Sequence, residues 1–218
     1  MSLVFYSIII PAFNESKSIA KVLRALVESY PNSEIIVVDD YSTDDTAEVV
    51  EDFSEVTLIK QPYNQGPIIA LATGIAAASN DVVVTIDADG QHPIDYIPKL
   101  VEPIFTDQAD IVLGVREKLP RLGEKIITLF SGVSDATTGF KAMRKTCVDE
   151  YYTNDFAYGG VFISVSKKRG FRVLEVPVPI QQRLEGVSTH SNIKILTRSF
   201  KFVLWKLFKM RSLERISN

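Results

Sequence analysis

Asp81-Val82-Val83-Val84-Thr85-Ile86-Asp87-Ala88-Asp89-Gly90-Gln91-His92-Pro93 sets a β-branched run directly against a pair of acids. Val82, Val83, Val84 and Ile86 form a nearly unbroken apolar segment. That composition suits a strand covered on both faces, as in a parallel sheet. The run stops at Asp87-Ala88-Asp89-Gly90. Carboxylates at i and i+2 of an extended segment point the same way. Desolvating both at a strand end is costly unless a cation neutralises them. A hard divalent ion, Mg²⁺ or Mn²⁺, takes oxygen ligands and commonly shares them with substrate phosphates. An Asp-rich turn is the plainer alternative, since turns favour Asp and Gly. The strand before the pair, and Gln91, His92 and Pro93 after it, favour the cation site.

The same grammar repeats outward from this stretch. Val4–Ile10 reads as a first buried strand closed by Pro11, Glu34–Val38 as a second stopping at Asp39-Asp40, and Val56–Lys60 as a third. Asn14-Glu15-Ser16 and Ser42-Thr43-Asp44-Asp45 offer helix caps. Ile19, Val22, Leu23, Leu26 and Val27 recur at helical spacing. Asn64-Gln65-Gly66-Pro67 opens an Ala-rich helix over 68–79, Pro93–Phe105 is a further helix, and Asp110–Gly114 a fifth strand. Strands alternating with helices, each strand a continuous apolar run, predict a mainly parallel α/β sheet with helices on both faces. Ligands of such sheets bind outside the carboxyl ends of the strands. Three of those ends carry Pro11–Glu15, Asp39-Asp40 and Asp87–Asp89. Neither Gly-x-Gly-x-x-Gly after the first strand nor a Walker sequence is present, which disfavours a dinucleotide enzyme and a P-loop ATPase.

Beyond residue 114 the pattern loosens. Leu119–Phe130 reads as an amphipathic helix, Asp135–Ala142 as a turn into a short strand, and Phe156–Arg169 as a helix weakened by Gly159-Gly160. Phe171–Ile180 is a strand whose Pro177 and Pro179 argue for an edge. Residues 193–211 hold six basic residues and no acidic one. Phe200, Val203, Leu204, Leu207 and Phe208 share a face, Lys194, Arg198, Lys201 and Lys209 another, and Trp205 is an aromatic of the membrane-interface kind. Such a helix either lies in a bilayer surface or packs on the protein's own sheet with its lysines solvated. No internal repeat or low-complexity linker appears, so one domain, 1–190, followed by a basic amphipathic C-terminal helix, 191–218, is expected.

The 218 residues carry a net charge of only −3, but residues 1–110 hold 5 Lys+Arg against 18 Asp+Glu, a balance of −13, and residues 111–218 hold 19 against 9, a balance of +10. An acidic half suits a cation; a basic half suits phosphate or an anionic membrane surface. The basic residues come without an interleaved stacking platform, so no nucleic-acid partner is expected. The lone Cys147 excludes an intramolecular disulfide and fits a reducing compartment. It reads as a small buried side chain rather than a nucleophile. No signal peptide and no 18-residue apolar window are visible, so a cytoplasmic protein, peripheral on the cytoplasmic membrane face, is expected.

Taken in order, three motifs are familiar. Ile10-Pro11-Ala12-Phe13-Asn14-Glu15, Val37-Val38-Asp39-Asp40-Tyr41-Ser42-Thr43-Asp44 and Asp87-Ala88-Asp89-Gly90-Gln91-His92-Pro93 together resemble the family 2 glycosyltransferases. Asp135, Thr138-Gly139-Phe140-Lys141-Ala142 and Val176-Pro177-Val178 with Arg183-Leu184-Glu185-Gly186-Val187-Ser188 resemble its dolichyl-phosphate mannose or glucose synthase branch. The resemblance covers about residues 4–190. It implies a glycosyltransferase A (Rossmann-like) fold and a metal-dependent, inverting transfer of a hexose from a nucleotide sugar, GDP-mannose or a UDP-hexose, to a polyprenyl (dolichyl) phosphate.

Residue by residue, the resemblance implies a metal on Asp87 and Asp89, with Gln91 adding a ligand directly or through water. Pro11, Phe13, Glu15, Val38 and Asp40 would cup the base and ribose, with Ala88 beside them. Arg116, Arg121 and Arg183 would meet phosphate, Arg183 toward the donor diphosphate and Arg121 toward the acceptor, since the guanidinium fork matches phosphate oxygens. Asp89, Arg121 and Arg183 are thus the catalytic candidates. A phosphate oxygen is already a nucleophile at neutral pH, so positioning and charge neutralisation would supply most of the rate. The chain departs from the branch at Thr189-His190, where relatives carry Lys, in a short segment between Arg116 and Asp135, and at Gly159-Gly160, where an acid is usual. Transfer to a saccharide or protein, or non-catalytic binding of a nucleotide sugar, are the competing readings.

Overall fold

The apolar runs pair into one sheet. In the computed structural model, which describes residues 5–117, 119, 121–148, 150–153, 158–179 and 192–208, the strands are β1 (Ser7–Ala12), β2 (Glu34–Asp39), β3 (Val56–Lys60), β4 (Val82–Thr85), β5 (Ile111–Arg116), β6 (Lys141–Arg144) and β7 (Val173–Val178). Their order is β3-β2-β1-β4-β6-β5-β7. All pairs are parallel except those of β6, which runs antiparallel between β4 and β5. Because β6 is reversed, its first residue, Lys141, lies opposite Thr85 at the carboxyl end of β4. The preceding segment 135–140 is therefore delivered to the edge where the parallel strands end. As expected, β7 is an edge strand.

Pro11 does not close β1; it is paired inside it, opposite Val38. The reason is directional. Ile9 accepts a bond from Ile86 and Ala12 one from Asp40, so alternate residues face β4 and β2. Pro11 faces β4, whose ladder with β1 ended at Ile9 and Thr85. No ladder bond is lost to the missing N–H.

Helices α1 (Ser16–Ser29), α2 (Thr46–Glu51) and α4 (Ile97–Phe105) cover one face of the sheet, and α3 (Pro67–Ala77), α6 (Glu150–Thr153) and α7 (Gly160–Lys168) help cover the other. Strand side chains alternate accordingly: Ile8, Ile10, Val37 and Val84 go to one core, Ile9, Ile36, Val38 and Val83 to the other. The small-residue character of α3 has a cause. A Cβ on Gly74 would collide with Ile9 on β1 and approach Val38 on β2. α4 begins later than the sequence predicts, after a single 3₁₀ turn at Ile94–Tyr96. α7 starts at Gly160, behind Gly159 with φ 101°; Phe156 lies outside the described residues. Cys147 is buried, and burial pushes its thiol up to about 11, which makes it inert.

A third core joins α5 (Leu122–Ser131), α7 and α8 (Asn192–Phe208) through Ile127, Val161, Val165 and Phe202. Lysines tie the three together: Lys167 Nζ donates to the carbonyl of Gly132 at 2.6 Å and Lys206 Nζ to that of Phe130. Both cap the carboxyl end of α5, where its carbonyls have no helical partner. Trp205 stacks on Phe202 at 6.1 Å and is half-buried against this core. α8 is apolar on two sides. Ile195, Ser199 and Phe202 are buried, while Ile193, Leu196, Phe200, Leu204, Leu207 and Phe208 are exposed. Leu122 and Leu129 of the neighbouring α5 are exposed too.

Candidate active site

A cavity of about 1110 Å³ opens at the carboxyl ends of the strands. Pro11 and Phe13 follow β1, Asp40 follows β2, Asp87, Ala88, Asp89 and Gln91 follow β4, and Arg116 ends β5; all line the cavity, as do Glu15 and Arg121. The three strand ends that the sequence singled out do converge. Val38 does not join them. Its side chain is fully buried in the core beneath α3, because its place in β2 points it into the sheet's own packing. Arg183 and His190 lie outside the described residues.

The loops after β1 and β2 are laced to each other. Asn14, in the left-handed region with φ 56°, accepts the N–H of Thr43 at 2.8 Å and donates its own N–H to Ser42 Oγ at 2.9 Å. Glu15 N–H donates to Thr46 Oγ1, and Ser16 N–H to Asp44 Oδ2. The sequence read these groups as caps of their own helices. Asp44 does that, accepting Thr46 N–H at 3.1 Å, while also accepting Ser16 N–H from the other loop; Asn14 and Ser42 bond across to the neighbouring loop, a pairing set by the parallel register. Asp40 is equally committed. Its carboxylate accepts Gln65 N–H at 2.8 Å and Gly66 N–H at 2.7 Å, pinning the entry of α3. Each carboxylate oxygen keeps a second lone-pair direction.

Asp87 and Asp89 differ in setting. Asp89 is buried, with Oδ1 accepting Gln91 N–H at 3.0 Å. The Asp87 side chain is about half exposed to the cavity. His92, which the sequence offered only as context, holds the segment. Its Nδ1 accepts Asp87 N–H at 3.2 Å, its ring stacks on Phe140 at 5.2 Å, and its Nε2 faces Asp87 Oδ2 at 3.7 Å. Opposite lies Gly139, where a Cβ would sit 2.5 Å from Asp87 Oδ1. Thr85 Oγ1 donates to the Gly139 carbonyl at 2.6 Å. No group of three His, Cys, Asp or Glu able to hold a metal occurs among the described residues. Two carboxylates on a cavity floor nevertheless fit Mg²⁺ or Mn²⁺, which characteristically bind one or two carboxylates and complete their shell from phosphates and water.

The arginines are less available than their sequence context implies. Arg116 forks onto the fully buried Asp135, Nε to Oδ2 at 2.6 Å and Nη2 to Oδ1 at 3.0 Å, and donates to Thr137 at 2.8 Å. Burial opposes its charge, but the hydrogen bonds and charge of Asp135 outweigh that and hold it above its ordinary value. Glu124, on α5, is buried at the cavity wall between Arg116 (3.8 Å) and Arg121 (3.5 Å). Its Oε2 has no hydrogen-bond partner among the described residues. The sequence also missed Lys141, Tyr158, Lys194 and Arg198, which line the same cavity. Arg198 lies over the Tyr158 ring at 4.3 Å, and burial lowers its pKa. Only for Lys141 was a signal present, its place after Thr138-Gly139-Phe140. α8 reaches the cavity through tertiary packing alone.

Known proteins resemble this chain in sequence and in fold. The family model described as glycosyl transferase family 2 matches residues 7–121. A UDP-N-acetylglucosamine–dolichyl-phosphate N-acetylglucosaminyltransferase of Methanococcus voltae is 28% identical, over 93% of this chain and 96% of the relative. A dolichol-phosphate mannosyltransferase of Pyrococcus furiosus is 31% identical, over 84% of this chain and 58% of the relative. Among solved structures, glucosyl-3-phosphoglycerate synthase of Mycobacterium tuberculosis, in complex with Mn²⁺ and UDP-glucose, superposes with a TM-score of 0.69 at 20% identity, covering 94% of this chain and 78% of that one. That likeness is one of fold, the glycosyltransferase A fold.

Proposed function

Because the chain belongs to the family 2 glycosyltransferases, we propose that it is a metal-dependent, inverting hexosyltransferase that moves a sugar from a nucleoside-diphosphate donor to a polyprenyl phosphate at a membrane surface. One observation carries the reading: the cavity is divided by charge, and its basic side is flanked by exposed apolar helix. Asp87 and Asp89 stand at the end of β4. Pro11, Phe13 and Asp40 lie at the ends of β1 and β2, while Arg121 immediately precedes α5 and Lys194 and Arg198 lie on α8. Lys125 and Lys201 face solvent among the exposed leucines and phenylalanines of α5 and α8. Basic residues around an apolar strip match an anionic bilayer surface. No helix among the described residues is long and apolar enough to cross a membrane, so the association proposed is peripheral.

In the reaction, an acceptor phosphate oxygen attacks the anomeric carbon of the donor hexose. The carbon–oxygen bond to the diphosphate breaks, and its electron pair leaves on the diphosphate, inverting the centre. A divalent ion on Asp87 and Asp89, with Gln91 beside them, would neutralise the charge of the departing diphosphate. His92 and Gly139 hold Asp87 in position, and Asp40 keeps the loop before α3 against the nucleotide side. The chemistry needs no strong base, because the nucleophile arrives ionised.

The test is thermal stabilisation by GDP and UDP with Mn²⁺, since binding to the native state raises the melting temperature with affinity and concentration. We expect one nucleotide to stabilise in a Mn²⁺-dependent way, and Asp89→Ala to abolish the Mn²⁺-dependent part. An unchanged shift in that variant would refute the metal site. A second reading, transfer to a hydroxyl acceptor, is favoured by Glu124. A buried carboxylate with an unbonded oxygen on the cavity wall is the base that a hydroxyl would require. Glu124→Gln decides between them: transfer to a prenyl phosphate should survive within about 10-fold, whereas base-dependent transfer should fall by about 100-fold or more.

A further inference from the structure

Two of the arginines on the cavity wall face carboxylates. Arg116 is forked onto Asp135, and Arg121 faces Glu124. Arg198 has no carboxylate partner among the described residues; its guanidinium rests on Tyr158. Lys194 is one turn earlier on α8 and therefore on the same side, and both line the cavity. Between them, Ile195 is buried against α5, where a Cβ on Gly123 would come within 2.7 Å of it. That contact seats this turn of α8 at the cavity mouth. The same helix exposes Ile193, Leu196 and Phe200 to the outside. A ligand with an anionic head and an apolar tail would therefore meet both of its complements on one helix.

We propose that Arg198 and Lys194 bind the phosphate head of the acceptor, with its prenyl chain leaving along Ile193, Leu196 and Phe200. This rests on the acceptor being a lipid phosphate, and it makes α8 part of the substrate site rather than an anchor alone. The guanidinium stacked on a tyrosine ring keeps its edge free for phosphate oxygens. The donor diphosphate is the other source of phosphate. It belongs with the metal at Asp87 and Asp89 and has no use for an apolar strip.

The experiment compares wild type with Arg198→Gln, Arg198→Lys, Lys194→Gln and Lys201→Gln. The last removes an exposed charge of the same helix that does not line the cavity. Calorimetry measures binding of citronellyl phosphate, a soluble short prenyl phosphate, and separately of the stabilising nucleoside diphosphate with Mn²⁺; initial rates give KM for each substrate. Arg198→Gln should weaken citronellyl phosphate by about 10- to 100-fold, leave the nucleotide within about two-fold, and be partly rescued in Arg198→Lys. Lys194→Gln should follow in the same direction, and Lys201→Gln should leave the soluble acceptor unchanged. Equal weakening of nucleotide and acceptor would reassign the pair to the donor and overturn the proposal. So would unchanged acceptor binding in folded Arg198→Gln. If wild type binds citronellyl phosphate through Arg198 yet transfers no sugar to it, the proposed reaction fails and the subsite stands. If wild type binds no prenyl phosphate, both fail.

Discussion

Asp87 and Gly139 show how one side chain's absence shapes a site. The carboxylate of Asp87 fills the space where a Cβ on residue 139 would be, and His92 closes it from the other side. Gly139→Ala should therefore fold, because the carboxylate is half exposed and can turn away. It should also weaken Mn²⁺ by about 10-fold or more, as disturbed outer-shell partners do, read by electron paramagnetic resonance of the bound ion. A variant with wild-type Mn²⁺ affinity would show that Asp87 is not held by this contact. The acidic pair was legible from sequence because it interrupts an apolar strand. Its partner Gly139 was not, since it lies 52 residues from Asp87 and reaches it only through the reversed β6.

At the scale of elements, α8 carries the sharpest difference between pattern and packing. Its composition promises an amphipathic helix and leaves open whether the apolar side meets lipid or protein. Packed on α5 and α7, it does the second with Ile195 and Phe202 and keeps Phe200, Leu204 and Leu207 outside. Two neighbouring phenylalanines should consequently behave differently. Phe202→Ala opens a cavity in the third core and should cost about 3–5 kcal/mol in denaturant unfolding. Phe200→Ser should change stability by less than about 0.5 kcal/mol but reduce flotation with anionic vesicles. Equal stability losses would mean that the two faces are not distinct.

The whole molecule separates stability from chemistry along the sheet axis. At the end opposite the cavity, ahead of β5 and β7, Arg172 binds Asp110 and Asp107, and Arg144 joins them. The Arg172 hydrogen bonds hold the Asp110 carboxyl down at about 2, against an ordinary 3.8. A lowered folded-state pKa stabilises the protein above the unfolded value and loses that effect as pH falls through the folded one. The melting temperature of Asp110→Asn should thus lie below wild type by a constant gap above about pH 5. That gap should close between about pH 4 and 2, and shrink in high salt because the cluster is solvent-accessible. A gap that widened on acidification would contradict the pairing. None of these residues lines the cavity, so Asp110→Asn should leave initial rates at neutral pH unchanged.

What the sequence by itself determined was the alternation of buried strands and helices, the carboxyl-end location of the site and the acidic pair at its centre. Each is written in local spacing: β-branched runs, helical periodicity, and Asp at i and i+2. Tertiary structure alone decided the rest. It reversed β6 and buried Val38, gave Asp40 to a loop and Arg116 to Asp135, and turned Lys194 and Arg198 into the cavity. Those outcomes depend on which distant segment arrives beside which charge, and a chain read in order carries no record of that until the sheet has brought its ends together.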